Sequence, residues 1–393
     1  MNFADRMQQL KPSATLTISA KATELRAKGK DVFNLSLGEP DLPVAPHVLD
    51  AVIAAARQGS AKYTPVPGLP ALRDAVSCYF ERAYSVAVPR EATMASNGGK
   101  QCIFNICQAL LNPGDEVLVP CPYWLSYPDI ILLAGGRAVP VPTSSEQGFK
   151  VSVADLERHA TPRTRLLFLN SPSNPTGACY TRQELEALAL WAVERDIIVL
   201  SDELYDQLYY NDCGPVSLIN LWEKHPDHVV VVNGLSKSFA MPGWRVGYTV
   251  AHPDLIKQMT KLQGQTTSNI CSLAQEAAIA ALTGPYDSVF AMRDIYRRRR
   301  DAALEIIRQW PAIPRYTPEG AFYIFLDVSA LFTPEIPDST TMCAHLLDAA
   351  EVALVPGVAF GDDKSVRLSY SIEEDRLIAA LRKLAPILGK KTA

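Results

Sequence analysis

No G-x-G-x-x-G opens a βαβ unit in this 393-residue sequence, and no G-x-x-x-x-G-K-[ST] occurs. Dinucleotides and nucleoside triphosphates are therefore disfavoured as ligands. The eight cysteines, at 78, 102, 107, 121, 179, 213, 271 and 343, form no C-x-x-C pair. Several, Cys102 and Cys107 among them, sit inside apolar patterns. Scattered reduced thiols of this kind act as small core residues and point to a cytoplasmic protein. Histidine is scarce, and His225 and His228 have no carboxylate or thiol at ligand spacing, so no metal site is expected. No apolar run approaches the length of a bilayer span. Nor is Met1-Asn2-Phe3-Ala4-Asp5-Arg6 followed by the apolar core of a signal peptide. A net charge of −4 gives neither nucleic acid nor an anionic membrane a reason to bind.

What is present reads as an α/β enzyme. Short apolar runs at Glu116–Pro120, Arg165–Asn170, Asp196–Asp202 and Val229–Val232 alternate with amphipathic helical patterns, the signature of parallel βαβ units. Thr181-x-x-Glu184 is a capping box opening a helix through Ala192, and a right-handed crossover makes its flanking strands parallel. The last hundred residues mix a charged helix around Arg297-Arg298-Arg299-Arg300 with short strands near 352–354 and 365–371. The arginine run reads as a solvated helix face. The expected division is a large domain over 46–285, a smaller α+β domain over 286–393, and an N-terminal segment, 1–45, packed on the latter.

The polar residues that follow these strands converge. Ligands of open parallel sheets bind beyond the carboxyl ends of the strands. Asn170–Gly177 follows one such end and Asp202-Glu203-Leu204-Tyr205 the next. After the valine run comes Asn233-Gly234-Leu235-Ser236-Lys237, with Arg245 eight residues beyond the lysine. An amine held at the mouth of a sheet in apolar surroundings has a lowered pKa and becomes nucleophilic. Earlier, Gly98-Gly99-Lys100-Gln101 opens a helix, and free N–H groups there suit a phosphate. A phosphorylated cofactor that bonds to lysine and wants an acid at a ring nitrogen fits this rim, which is the description of pyridoxal 5'-phosphate.

The motifs Ser36-Leu37-Gly38-Glu39-Pro40-Asp41, Tyr63–Gly68, Gly98–Gln101, Pro122-Tyr123-Trp124, Ser171–Gly177, Ser201–Tyr205, Ser236-Lys237 and Arg367-Leu368-Ser369-Tyr370 resemble class I aminotransferases of fold type I. The resemblance runs in order from about residue 10 to 385. Leu10–Thr15 is most similar to the bacterial aspartate aminotransferase branch, some members of which accept prephenate. It implies transfer of an amino group between an amino acid, aspartate first, and a 2-oxo acid such as 2-oxoglutarate. Aromatic, alanine or prephenate transamination and β-lysis are the alternatives on the same fold. It implies that Lys237 carries the cofactor and moves the substrate Cα proton, and that Asp202 pairs with the pyridine nitrogen. Tyr205 and Asn174 bond the ring oxygen, Trp124 stacks on the ring, and Gly99, Lys100 and Arg245 hold the phosphate. Relatives place a serine where this chain has Gly234, leaving Ser236 and Ser238 as candidates to compensate. Arg367 takes the substrate α-carboxylate in a planar fork, and Gly38 gives the substrate room. Lys11 is the candidate for a distal carboxylate, with Gln108 and Thr266–Asn269 as further lining. A homodimer with shared active sites is implied, Tyr63 reaching the neighbour's phosphate.

Overall fold

The computed structural model describes residues 1–10, 12, 14–211 and 214–390. Its strands are β1 (Phe33–Asn34), β2 (Thr93–Ser96), β3 (Glu116–Cys121), β4 (Arg137–Pro142), β5 (Thr164–Asn170), β6 (Ile198–Asp202), β7 (Val229–Gly234), β8 (Gly247–Val250), β9 (Tyr323–Asp327), β10 (Val352–Ala353), β11 (Val355–Pro356) and β12 (Ser365–Ser369). Seven of them form one sheet in the order β2-β8-β7-β6-β5-β3-β4. Within it β4, β3, β5, β6 and β7 run parallel, while β8 is antiparallel to both its neighbours. Two reversals leave β2 pointing the same way as β7. The carboxyl ends of β2, β5, β6 and β7 therefore share one edge.

The apolar runs become strands because both faces of the sheet are covered. Val229 and Val231 pack into one core cluster, and Val230 and Val232 into another on the opposite face. Leu167 and Leu169 divide from Leu166 and Phe168 in the same way. This is the period-2 alternation of a doubly buried strand, each fully enclosed valine contributing roughly 1.5–3 kcal/mol. Between β5 and β6 the helix Arg182–Val193 begins at the capping box: Thr181 Oγ1 accepts the Glu184 N–H at 3.2 Å, and Glu184 Oε2 accepts the Thr181 N–H at 2.7 Å.

The remaining strands form smaller sheets. β11, β12 and β9 are antiparallel, covered by the helices Ser339–Ala350 and Glu374–Leu388, and β1 pairs in parallel with β10. The arginine run corrects the expectation of a solvated face. It lies on the helix Asp287–Ile307, whose inward stripe includes Met292, Tyr296, Arg299 and Ala303. Arg297 and Arg298 are exposed, but Arg299 is buried and bonds Asp41 at 2.8 Å. Helical spacing turns Arg299 to the core side, where Asp41 neutralises it, and leaves Arg300 half-buried over the Tyr210 ring. Among the described residues no helix is long and apolar enough to cross a membrane, and no group of three His, Cys, Asp or Glu side chains is placed to hold a metal.

Candidate active site

Where the strand ends meet the smaller sheet lies a cavity of about 290 Å³. Lys237, three residues past the end of β7, lines it together with Asp202, the last residue of β6. Burial, with Arg367 nearby, pushes the Lys237 ammonium down to about 8 against the pull of Glu39. Its amine donates to the Gly38 carbonyl. Burial raises the Asp202 carboxyl to about 6, although the Tyr127 hydroxyl at 2.6 Å and the Leu204 N–H at 3.3 Å favour its charged form. A base and an acid of one cavity are thus both moved toward neutrality.

Gly99 and Lys100 begin the helix Gly99–Leu110, and no side chain caps it. Their N–H groups lie in the first turn, where no intrahelical partner exists. The loop is tightly built. A Cβ on Gly98 would fall 2.5 Å from Arg245 Nη2, one on Gly99 2.7 Å from Leu204 Cδ1, and one on Gly247 2.4 Å from the Gly99 nitrogen. Arg245 reaches across to the Asn97 carbonyl at 3.3 Å and the Pro242 carbonyl at 3.0 Å. Free donors, a helix N-terminus and a guanidinium around a side-chain-free floor suit a phosphate dianion. Gly234 is also dictated by packing. A Cβ there would meet the Val246 carbonyl at 2.8 Å, so the close approach of β8 leaves no place for a serine side chain. The Ser238 hydroxyl, one candidate to compensate, bonds Asp206 at 3.1 Å. Ser236 is buried outside the cavity lining.

The opposite wall comes from the smaller sheet. Arg367, central in β12 and 2% exposed, donates from Nη1 to Asn174 Oδ1 at 2.9 Å and from Nη2 to the Ser36 carbonyl at 2.8 Å. Its Nε is buried with no acceptor. Gly38, Trp124 and Tyr205 complete the predicted residues in the lining. Trp124 meets Tyr127 edge-on at 5.4 Å, and the Lys100 amine sits 5.1 Å from the Trp124 ring. Tyr63 is 92% exposed and stands away from its own chain's cavity. Lys11 lies outside the described residues. Gln108 bonds the Leu133 carbonyl at 2.9 Å, and Thr267 accepts from Gln101 at 2.7 Å; neither residue lines the cavity, which corrects that expectation. Sequence reading missed Tyr127 and Tyr323. The first follows a strand end closely enough to be found by the same rule. The second comes from β9, in the other sheet, and carries no local signal.

Fold and site together give an α/β protein whose cavity, beyond the strand ends, gathers a buried amine, a carboxyl and a buried guanidinium. Residues 30–384 match the sequence model of the family described as aminotransferase class I and II. The chain belongs to that family and is a transaminase of fold type I. It is 43% identical over 392 residues to the aspartate/prephenate aminotransferase of Thermus thermophilus, covering 98% of each chain. To the aspartate aminotransferase of Geobacillus stearothermophilus it is 41% identical over 387 residues, again covering 98% of each. The solved Thermus thermophilus aspartate aminotransferase with maleate superimposes with a TM-score of 0.93 at 42% identity, covering 99% of this chain and 100% of that one.

Proposed function

We propose that this aminotransferase holds pyridoxal 5'-phosphate on Lys237 and exchanges amino groups between aspartate and 2-oxoglutarate in a ping-pong cycle. The observation that carries the reading is the charge inventory of the cavity. Among the described residues its lining cations are Lys237, Arg367 and Lys100. With Lys237 given to the cofactor, Arg367 and Lys100 remain among these for a substrate with two carboxylates. The N–H groups of Gly99 and Lys100, with Arg245, hold the phosphate; Asp202 faces the ring nitrogen, Trp124 the ring, and Tyr205 and Asn174 its oxygen. The bound cofactor supplies a positively charged ring that accepts the electron pair left when the Cα proton departs. Arg367 grips the α-carboxylate through its unmet donor, and the Lys237 amine, held near neutral pKa, moves the Cα proton. Lys100, on the Trp124 side, meets the distal carboxylate. Lys100 joins Lys11, which lies outside the described residues, as a candidate for that contact.

The names of the relatives support aspartate, and maleate, bound to one of them, is a four-carbon dicarboxylate. Prephenate is a second reading: it is itself a dicarboxylic oxo acid, and the Thermus relative is named for it. We also infer a cytoplasmic homodimer in which the exposed Tyr63 completes the partner's phosphate site, with 46–285 as the cofactor-binding domain and 286–393 as the smaller one. A half-reaction panel tests the substrate. The cofactor absorbance should be lost at lower concentrations of aspartate and glutamate than of alanine, tyrosine or cystathionine. Alanine reacting as readily as aspartate at equal concentration would defeat the dicarboxylate reading.

A further inference from the structure

Tyr323 belongs to the site, although the roles above leave it unused. It is the first residue of β9, 1% exposed, and lines the cavity. Its hydroxyl lies 2.9 Å from the Tyr205 hydroxyl. Its ring lies 4.4 Å from the Arg367 guanidinium, a cation on the aromatic face. The space its hydroxyl fills exists because residue 38 is glycine: a Cβ there would come within 2.8 Å of the Tyr323 oxygen. The glycine thus serves the tyrosine as much as any substrate. Two phenols this close share one hydrogen between them, and the direction of that bond matters. A phenol under a guanidinium is the more acidic of a pair and the better donor. Burial raises both phenols, but Arg367 draws Tyr323 back down more directly.

We propose that Tyr323 is a positioning residue for Tyr205: its hydroxyl donates to the Tyr205 oxygen and thereby commits the Tyr205 proton to the ring oxygen of the cofactor. The proposal rests on the cofactor reading above. A hydrogen-bond chain of this kind polarises along its length, so accepting from Tyr323 makes Tyr205 a stronger donor. A stronger donor at the ring oxygen stabilises its anionic form and lowers the acid–base midpoint of the bound chromophore. The Tyr323 ring has a separate task, supporting Arg367.

The two tasks can be separated with Tyr323→Phe, which removes the hydroxyl and keeps the ring. Spectrophotometric pH titration of the holoenzyme should show the midpoint raised by about half a unit. Tyr205→Phe should raise it further, and the double variant should titrate like Tyr205→Phe alone. KM for aspartate in Tyr323→Phe should stay within about twofold of wild type, since the ring under Arg367 remains. A wild-type midpoint in Tyr323→Phe, or additive shifts in the double variant, would overturn the proposal. A wild-type midpoint in Tyr205→Phe would overturn it too, and would trace the failure to the assumed contact between Tyr205 and the cofactor. Should the phenylalanine variant fold poorly, 3-fluorotyrosine at position 323 supplies a more acidic donor and must lower the midpoint. An unchanged or raised midpoint there counts against the proposal.

Discussion

At the scale of single residues, the site depends on charges taken partly out of water. Lys237 is brought down to about 8 and Asp202 up to about 6, burial being the first cause of each. Lys100 is lowered as well, by burial and then by Arg245. Lys100 is exposed in the single chain, and what it offers an anion is a charge-assisted hydrogen bond. Lys100→Met should therefore raise KM for aspartate and 2-oxoglutarate by roughly 10- to 100-fold, the range expected for losing a hydrogen bond to a charged group. Steady-state kinetics with alanine should change little. Equal losses for alanine and aspartate would show that Lys100 serves the phosphate rather than the distal carboxylate. Sequence reasoning placed the Lys100 backbone in the phosphate loop and overlooked its side chain. The helix-start pattern speaks for N–H groups only. That the side chain lies against Trp124 depends on the end of β3, which local pattern does not reveal.

At the scale of elements, the turn after β6 does the most. Successive residues there face different surroundings. Asp202 lines the cavity, whereas Glu203 turns to the other side, where it accepts from Ser201 at 2.8 Å and from the Leu218 N–H at 2.9 Å. Asp206, four residues beyond Asp202, accepts from Tyr84 at 2.8 Å and Ser238 at 3.1 Å and also bonds Tyr79. Ser238 neighbours Lys237, so one turn ties the β6 and β7 loops together. Burial raises the Glu203 carboxyl from 4.5 to about 8, despite the hydrogen bonds that favour its charge. A folded-state value above the unfolded one means that the folded protein binds the extra proton. The stability this supplies is complete below about 4.5 and is lost as pH rises through about 8. Thermal unfolding followed from pH 5 to 9 should show wild type losing stability relative to Glu203→Gln, which mimics the protonated acid. Parallel curves would mean that Glu203 stays ionised in the fold. The sequence showed this turn as a strand end bearing an acid and a phenol. It could not show that Glu203 and Asp206 are buried, because Ser217, Tyr79 and Tyr84 reach them from distant segments.

At the scale of the whole molecule, the cavity is made by bringing two sheets together. The strand order was legible in part: apolar runs marked β3, β5, β6 and β7, and their ends marked the polar edge. The reversal at β8 was not foreseen, yet it places Gly247 opposite both Gly234 and Ser96, against the Gly98-Gly99 loop. Arg367 illustrates the limit of pattern reading. Its motif could be matched, but its hold on Asn174 and Ser36 joins residues 193 and 331 positions apart. Tyr323 reaches Tyr205 over 118 positions and was missed altogether. On the function proposed above, these contacts present one amine to one ligand. The direct measurement is borohydride reduction of the purified holoenzyme followed by peptide mass spectrometry. A phosphopyridoxyl group is expected on Lys237 and on no other lysine, and none in Lys237→Ala. A modified peptide lacking Lys237, or equal labelling of the Ala variant, would contradict this.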